Sequence, residues 1–190
     1  MKPEIWGPPI WLFIHALASK IKDEMYVSIG YQLFNIIKRI TAFLPCPHCS
    51  QHATSFLSSI TPNTIKTKQD LIRVLYLFHN SVNVRKGKTL YNFSELNIYE
   101  NTNLQQAYNN FRKVYHNNGN MNLLAETFQR NLVLKDLKIW LSQHSNKFDY
   151  SNKPDIPKIE TVVADAVAET TTETVLHLEV IEMKNANSND

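Results

Sequence analysis

Cys46 and Cys49 are the only cysteines among 190 residues, and they lie together in Leu44-Pro45-Cys46-Pro47-His48-Cys49. Two thiols at this spacing form a small reversible disulfide or half of a metal site. If the pair opens a helix, the free N–H groups and the helix dipole favour a thiolate on the first sulfur, Cys46. The second sulfur is close enough to close the disulfide. His48 between them adds positive charge or is a solvated helix-start residue. A zinc site needs four ligands. Only His48, His52, His15 or His79 is available to complete one, and none has the usual paired spacing. The redox reading leads. A zinc-binding interaction module and a pair of structural thiols stand as alternatives.

A second polar group lies downstream. His79-Asn80-Ser81-Val82-Asn83 puts His79 and Asn83 one helical turn apart with Asn80 beside them, and Arg85, Lys86 and Lys88 follow at once. Amides suit ring or ribose edges, and cations suit a pyrophosphate. The combination fits a dinucleotide cofactor, with a solvated helix end as the plain alternative. Trp11 and His15 are also one turn apart, and such a pair serves as a core element or a cofactor wall.

The elements that position these groups read as helices. Ile10 to Lys22 forms the first, with Pro8 or Pro9 opening it after an extended lead-in. Tyr26 to Phe43 carries the stripe Ile29, Leu33, Ile36/Ile37 and Ile40, and Leu44-Pro45 ends it. Cys46 to Ser58 begins at the thiol pair. Gln69 to Val84, capped by Thr67, carries Leu71, Leu75, Phe78 and Val82, and the Arg85-Lys86-Gly87-Lys88 run ends it. Asn92 to Asn101 is loop with one short helical turn. Leu104–His116 and Leu123–His144 are two further amphipathic segments, separated by an Asn117-Asn118-Gly119-Asn120 turn. Their apolar positions are Leu104, Phe111, Tyr115, Leu123, Leu124, Phe128, Leu132, Leu137 and Trp140. They pack on the core, on a second subunit or on a partner. The Cys-Pro-His-Cys motif also occurs in thioredoxin-like carriers, but that fold needs a strand directly before the motif. Here the preceding run has helical period.

Composition sets the frame. Four glycines and 43% apolar residues suit a helical domain with an appendage. The net charge of +3 is uneven: residues 1–145 are basic and residues 146–190 acidic. No Lys/Arg run exceeds Lys38-Arg39 or Arg85-Lys86, so no nucleic-acid partner is expected. The stretch from Pro8 to Ala18 is too short to span a bilayer and lacks the features of a secretory signal, so no membrane partner is expected either. The expectation is a protein kept in the cytoplasm, where a Cys-x-x-Cys is catalytic or metal-binding. Past Asn146, Pro154, Pro157 and a Thr/Glu/Val-rich tract read as a disordered acidic tail over 146–190, in which Val175–Ile181 is an isolated strand candidate.

Taken in order, Trp6-Gly7, Trp11, His15, Pro45-Cys46-x-x-Cys49 and His79-Asn80-x-x-Asn83 with Lys86 and Lys88 resemble the Erv/ALR family of FAD-linked sulfhydryl oxidases, over about residues 4–100. The high Asn, Ile and Lys content looks most like versions encoded by large DNA viruses. The resemblance implies an all-α fold: a four-helix bundle around FAD with a short fifth helix, usually a homodimer. The division is then an FAD-binding domain over 1–100, a helical extension over 101–145 and the tail. It implies oxidation of protein thiols to disulfides, with electrons passing from the Cys46/Cys49 pair through FAD to oxygen and giving hydrogen peroxide. Cys49 would lie next to the flavin, and Cys46 would exchange with substrate. Trp11 and His15 would line the flavin pocket, with Trp6-Gly7 before them. His79, Asn80 and Asn83 would contact the adenosine part, with Val82 packing beside them and Lys86 and Lys88 near the phosphates. Tyr91 or Tyr99 would stand in for a missing adenine-stacking tryptophan. No metal is implied. In a virus, virion proteins in the host cytoplasm would be clients. Two features of many members are absent: a second disulfide clamping the helix after the motif, and a shuttle cysteine pair in a flexible arm. Substrate thiols would therefore have to reach Cys46 directly.

Overall fold

The computed structural model describes residues 2–116 and 124–150. The expected Asn117–Asn120 turn and all but the first few residues of the expected tail, including Val175–Ile181, lie outside the described residues. Among the described residues the fold is helical, and the one β-type contact is an isolated bridge between Ile21 and Phe148. The elements are α1 (Pro3–Lys20), α2 (Asp23–Ala42), α3 (Pro47–Ser58), α4 (Lys68–Arg85), α5 (Asn97–Glu100), α6 (Leu104–Tyr115) and α7 (Leu124–Gln143). Short 3-10 turns lie at Pro62–Thr64, Phe93–Leu96 and Ser145–Lys147.

Helix α1 is the hub. Phe13, Ile14 and Leu17 are fully buried, and α2, α4, α5 and α6 pack around it. The helix begins at Pro3, not at Ile10 as the two later prolines suggest, because Pro3 already occupies the first helical position. Pro8 and Pro9 lie inside the helix. They withhold donors from the carbonyls of Glu4 and Ile5, two exposed residues whose carbonyls water can satisfy. Helix α2 buries the expected stripe of Ile29, Leu33, Ile37 and Ile40. Helix α4 opens on a capping box: Thr67 accepts from the Asp70 amide, and the Asp70 carboxylate accepts from the Thr67 amide. It closes on Gly87 at φ +61°, where the Lys88 amide reaches back to the Asn83 carbonyl at 2.9 Å.

The extension packs on the same core. Phe111 stacks on Phe13 with centroids 4.5 Å apart, and the buried Tyr115 hydroxyl donates to the Ile40 carbonyl at 2.9 Å. Helix α7 lies along α2, where Trp140 Nε1 donates to Gln32 Oε1 at 3.1 Å and Arg39 pairs with Asp136 at 2.6 Å. Its inward face keeps the expected Leu137 and Trp140 but not Phe128. Arg130, Val133, Leu134 and Leu137 are buried at i, i+3, i+4, i+7 spacing, while Phe128 is 60% exposed. The boundary expected at 146 falls within packed structure. Phe148 is buried, the Asp149 amide donates to the Lys20 carbonyl at 2.7 Å, and the Lys22 amide donates to the Lys147 carbonyl at 3.0 Å.

Candidate active site

The turn between α2 and α3 carries the two sulfurs. Pro45 follows Leu44, whose buried side chain roots the turn in the core, and Pro47 takes the first position of α3. Ser50 secures the turn, its hydroxyl donating to the Cys46 carbonyl at 3.3 Å. Cys46 is the N-cap of α3, and its Sγ accepts the Cys49 amide at 3.3 Å. The sulfur thus occupies the place where a serine or aspartate oxygen caps a helix. Both thiols are unpaired and half-buried. Burial pushes the Cys49 thiol up, a hydrogen bond with Cys46 adds to this, and the charges of Lys86 and Arg85 pull it partly back. His48, beside the pair, meets Arg85 at 3.2 Å between Nε2 and Nη1.

Cys49 forms part of the wall of a cavity of about 1140 Å³. The N-terminal half of α1, the C-terminal half of α4, and the loop after α4 make most of that wall. Of the candidate cofactor residues, Trp6, Gly7, Trp11, Cys49, His79, Val82, Asn83, Lys86, Lys88 and Tyr91 all line it. The wall is aromatic on one side: Trp11 stacks on His79 at 3.9 Å with the rings 6° apart, and His79 stacks on Tyr91 at 5.3 Å. Arg85, Lys86 and Lys88 add positive charge to the lining.

Two candidates sit behind the wall. His15 is 2% exposed; its Nε2 meets His79 Nδ1 at 3.2 Å, and its ring stacks on Tyr99 at 4.5 Å. Desolvation by burial, with His79 adding to it, lowers the His15 pKa to about 3. Burial first and Lys88 second lower that of His79 to about 4. Both rings are neutral at neutral pH, so one donates to the other. Asn80 is also buried, and its amide clasps the Tyr91 backbone, donating to the carbonyl at 3.1 Å and accepting from the amide at 2.9 Å. His15 and Asn80 therefore position His79 and Tyr91 rather than face the cavity.

Other lining residues have only weak signals in the sequence. Tyr99, an alternative to Tyr91, lines the cavity as well. Thr41 and Leu44 join it from the end of α2, and Asn110, Lys113 and Val114 join it from α6. The only sequence signal for the α6 residues is their place beside the apolar stripe of an amphipathic helix.

The residues fit a flavin dinucleotide on three observations. The volume is that of a large ligand pocket. The buried Trp6 Nε1 has no hydrogen-bond partner, and a ligand acceptor would satisfy it. A Cβ at Gly7 would meet nothing within 4 Å, so the protein's own packing does not demand the glycine there, whereas a ligand against the backbone would.

A dithiol at a helix N-terminus, with one sulfur in the wall of an aromatic and basic cavity inside a helical bundle, defines a cofactor-linked dithiol oxidoreductase. A model of the Erv1 / Alr family matches residues 8–103, and the chain belongs to that family. Among curated proteins it is similar to the FAD-linked sulfhydryl oxidase of African swine fever virus (isolate Pig/Kenya/KEN-50/1950). That pair is 34% identical over 101 residues, covering 53% of this chain and 84% of the relative. It is also similar to the putative FAD-linked sulfhydryl oxidase 347L of Invertebrate iridescent virus 6, at 33% identity, covering 46% of this chain and 85% of the relative. The probable FAD-linked sulfhydryl oxidase OPG072 of Vaccinia virus (strain Copenhagen) is 30% identical, covering 41% and 76%. No solved structure shows a significant match. Among the described residues, no helix is long and apolar enough to cross a membrane.

Proposed function

We propose that this chain is an FAD-linked thiol oxidase that makes disulfides in protein substrates, with Cys46 and Cys49 as the redox pair. The observation that carries the reading is Cys49 in the wall of the cavity whose lining suits FAD. Trp6, Gly7, Trp11, His79, Val82, Asn83, Lys86, Lys88 and Tyr91 hold the cofactor, with His15 and Asn80 fixing the aromatic wall from behind. Bound FAD supplies a two-electron acceptor beside Cys49.

The protein's own part is disulfide exchange. A substrate thiolate attacks Sγ of Cys46 in the Cys46–Cys49 disulfide, and Cys49 leaves as a thiolate. A second substrate thiolate attacks the substrate sulfur of the mixed disulfide, and Cys46 leaves. The client is oxidised to a disulfide, and the pair is reduced by two electrons. The amide that caps the Cys46 sulfur stabilises the departing thiolate. Arg85 and Lys86 do the same for Cys49. In the neutral dithiol the burial of Cys49 favours the protonated form, so its charge builds up only when the disulfide opens.

In this reading oxygen is the terminal acceptor and hydrogen peroxide the product. The protein works as a homodimer in the host cytoplasm on thiols of virion proteins. Support for the dimer comes from Val27, 90% exposed, and Tyr31, 52% exposed, one turn apart on α2. Support for the setting comes from the viral relatives.

Purified protein should show a flavin spectrum. Cys49→Ser should keep the flavin and lose thiol-dependent oxygen uptake. A colourless preparation loaded with zinc would sink the proposal.

A further inference from the structure

Helix α6 lies beyond the matched residues, which end at 103, yet it supplies part of the cavity wall. Its buried stripe is Leu104, Ala107, Phe111 and Tyr115. The Phe111–Phe13 stack and the Tyr115–Ile40 hydrogen bond fix the rotation of the helix about its axis. The neighbouring stripe, Asn110, Lys113 and Val114, then turns to the cavity at i, i+3, i+4 spacing, and all three residues line it.

The same hydrogen bond sets where along the cavity this stripe stands. Ile40 is in the last turn of α2. The residues that follow it in the chain, Thr41 and Leu44, line the cavity too, and the chain then runs directly into Pro45 and Cys46. The α6 stripe therefore belongs to the dithiol end, the end that Cys49 walls.

The geometry points to Asn110 and Lys113 as cofactor-binding residues that the extension contributes to the flavin's redox ring system. This rests on the FAD reading above. The ring's polar edge carries carbonyl and nitrogen acceptors, for which an ammonium and an amide are matched donors. A cation there also favours the more negative, reduced state of the ring. The extension is then part of the site rather than a platform attached beside it.

The test uses the full-length holoprotein. Lys113 and Arg112 are adjacent, exposed cations on α6, and only Lys113 lines the cavity. Lys113→Gln and Arg112→Gln thus remove the same charge from the same turn. Both should keep the helix content of the wild type, read by circular dichroism. Lys113→Gln should release FAD about fivefold faster on dilution, followed by flavin fluorescence. It should also lower the reduced-to-oxidised ratio of the bound flavin about fivefold at fixed potential, about 20 mV for a two-electron couple. Arg112→Gln should leave both near wild type, and Asn110→Ala should speed release in the same direction as Lys113→Gln. Equal effects of the two charge removals, or no effect of Lys113→Gln, would overturn the inference while leaving the FAD reading in place. Wild-type protein that takes up no FAD would remove both.

Discussion

The buried pair His15–His79 makes stability fall in mild acid, by an amount that can be worked out. An unfolded histidine titrates near pH 6.5. In the folded protein His15 titrates at about 3 and His79 at about 4, so both remain neutral at pH 5. A histidine whose folded pKa is depressed contributes stability that is fully present above 6.5 and lost as pH falls, because the unfolded chain binds the proton first. Between pH 8 and pH 5 the unfolded state gains about 2 kcal/mol per histidine, or about 4 kcal/mol for the pair. Against a typical total of about 5–15 kcal/mol this is a large fraction. Urea unfolding at pH 8, 7, 6 and 5 measures it. His15→Gln supplies the control, since its amide can still bond the His79 ring but does not titrate. The variant should lose about 2 kcal/mol less than wild type over that range. Parallel pH profiles for wild type and His15→Gln would refute the burial argument, whatever the absolute stability of the variant.

Other perturbations separate the parts of the structure. Gly30→Ala should destabilise the protein, although alanine is the better helix former, because its Cβ would lie 2.5 Å from the Tyr26 ring; a melting temperature above wild type would contradict this packing. Gly7→Ala should raise the melting temperature of flavin-free protein, worth about 1 kcal/mol of helix propensity, and lower flavin occupancy, read from the ratio of visible to ultraviolet absorbance. Phe111→Ala should cost about 3–5 kcal/mol in urea unfolding if α6 belongs to the core, and almost nothing if it does not. Arg85→Gln should raise the Cys49 thiol further by removing one of the two cations that pull it down; the pH dependence of Cys49 alkylation in a Cys46→Ser background reports it.

Much of the fold was legible because local signals coincide with tertiary ones. Thr67 announces the start of α4, and Gly87 its end. The stripe of α2 is the stripe that is buried, and the Cys-x-x-Cys opens α3 with its first sulfur as the cap. What stayed hidden depends on neighbours distant in the chain. Pro8 and Pro9 look like an opening and are instead interior, since only the exposure of Glu4 and Ile5 makes the lost bonds tolerable. Asn80 looks like a ligand amide, but the chain returns Tyr91 to it. His15 looks like a pocket wall and is instead the support behind His79. On α7 Leu137 and Trp140 read correctly as inward positions, but the buried Arg130, Val133 and Leu134 complete that face and Phe128 does not join it. No local pattern says that α6 will close a cavity whose other walls come from α1 to α5 and the loop after α4.

The chain also lacks a second cysteine pair to clamp α3, and packing takes up that task. Ala53, Phe56 and Leu57 bury one face of the helix. The loop beyond it is held by the buried Ile65, whose carbonyl accepts the Tyr26 hydroxyl at 3.0 Å. Tyr26 can reach there because Gly30, one turn on, leaves room for its ring across α2. A buried hydrogen bond of this kind contributes about 1 kcal/mol, and burying the apolar side chain of Ile65 about 2 kcal/mol more. That matches the 2–4 kcal/mol typical of a disulfide. The two solutions differ in chemistry more than in energy. A bundle clamped by side chains keeps its shape under reducing conditions, so the Cys46–Cys49 pair can cycle without any second disulfide being exposed to exchange with its thiol substrates.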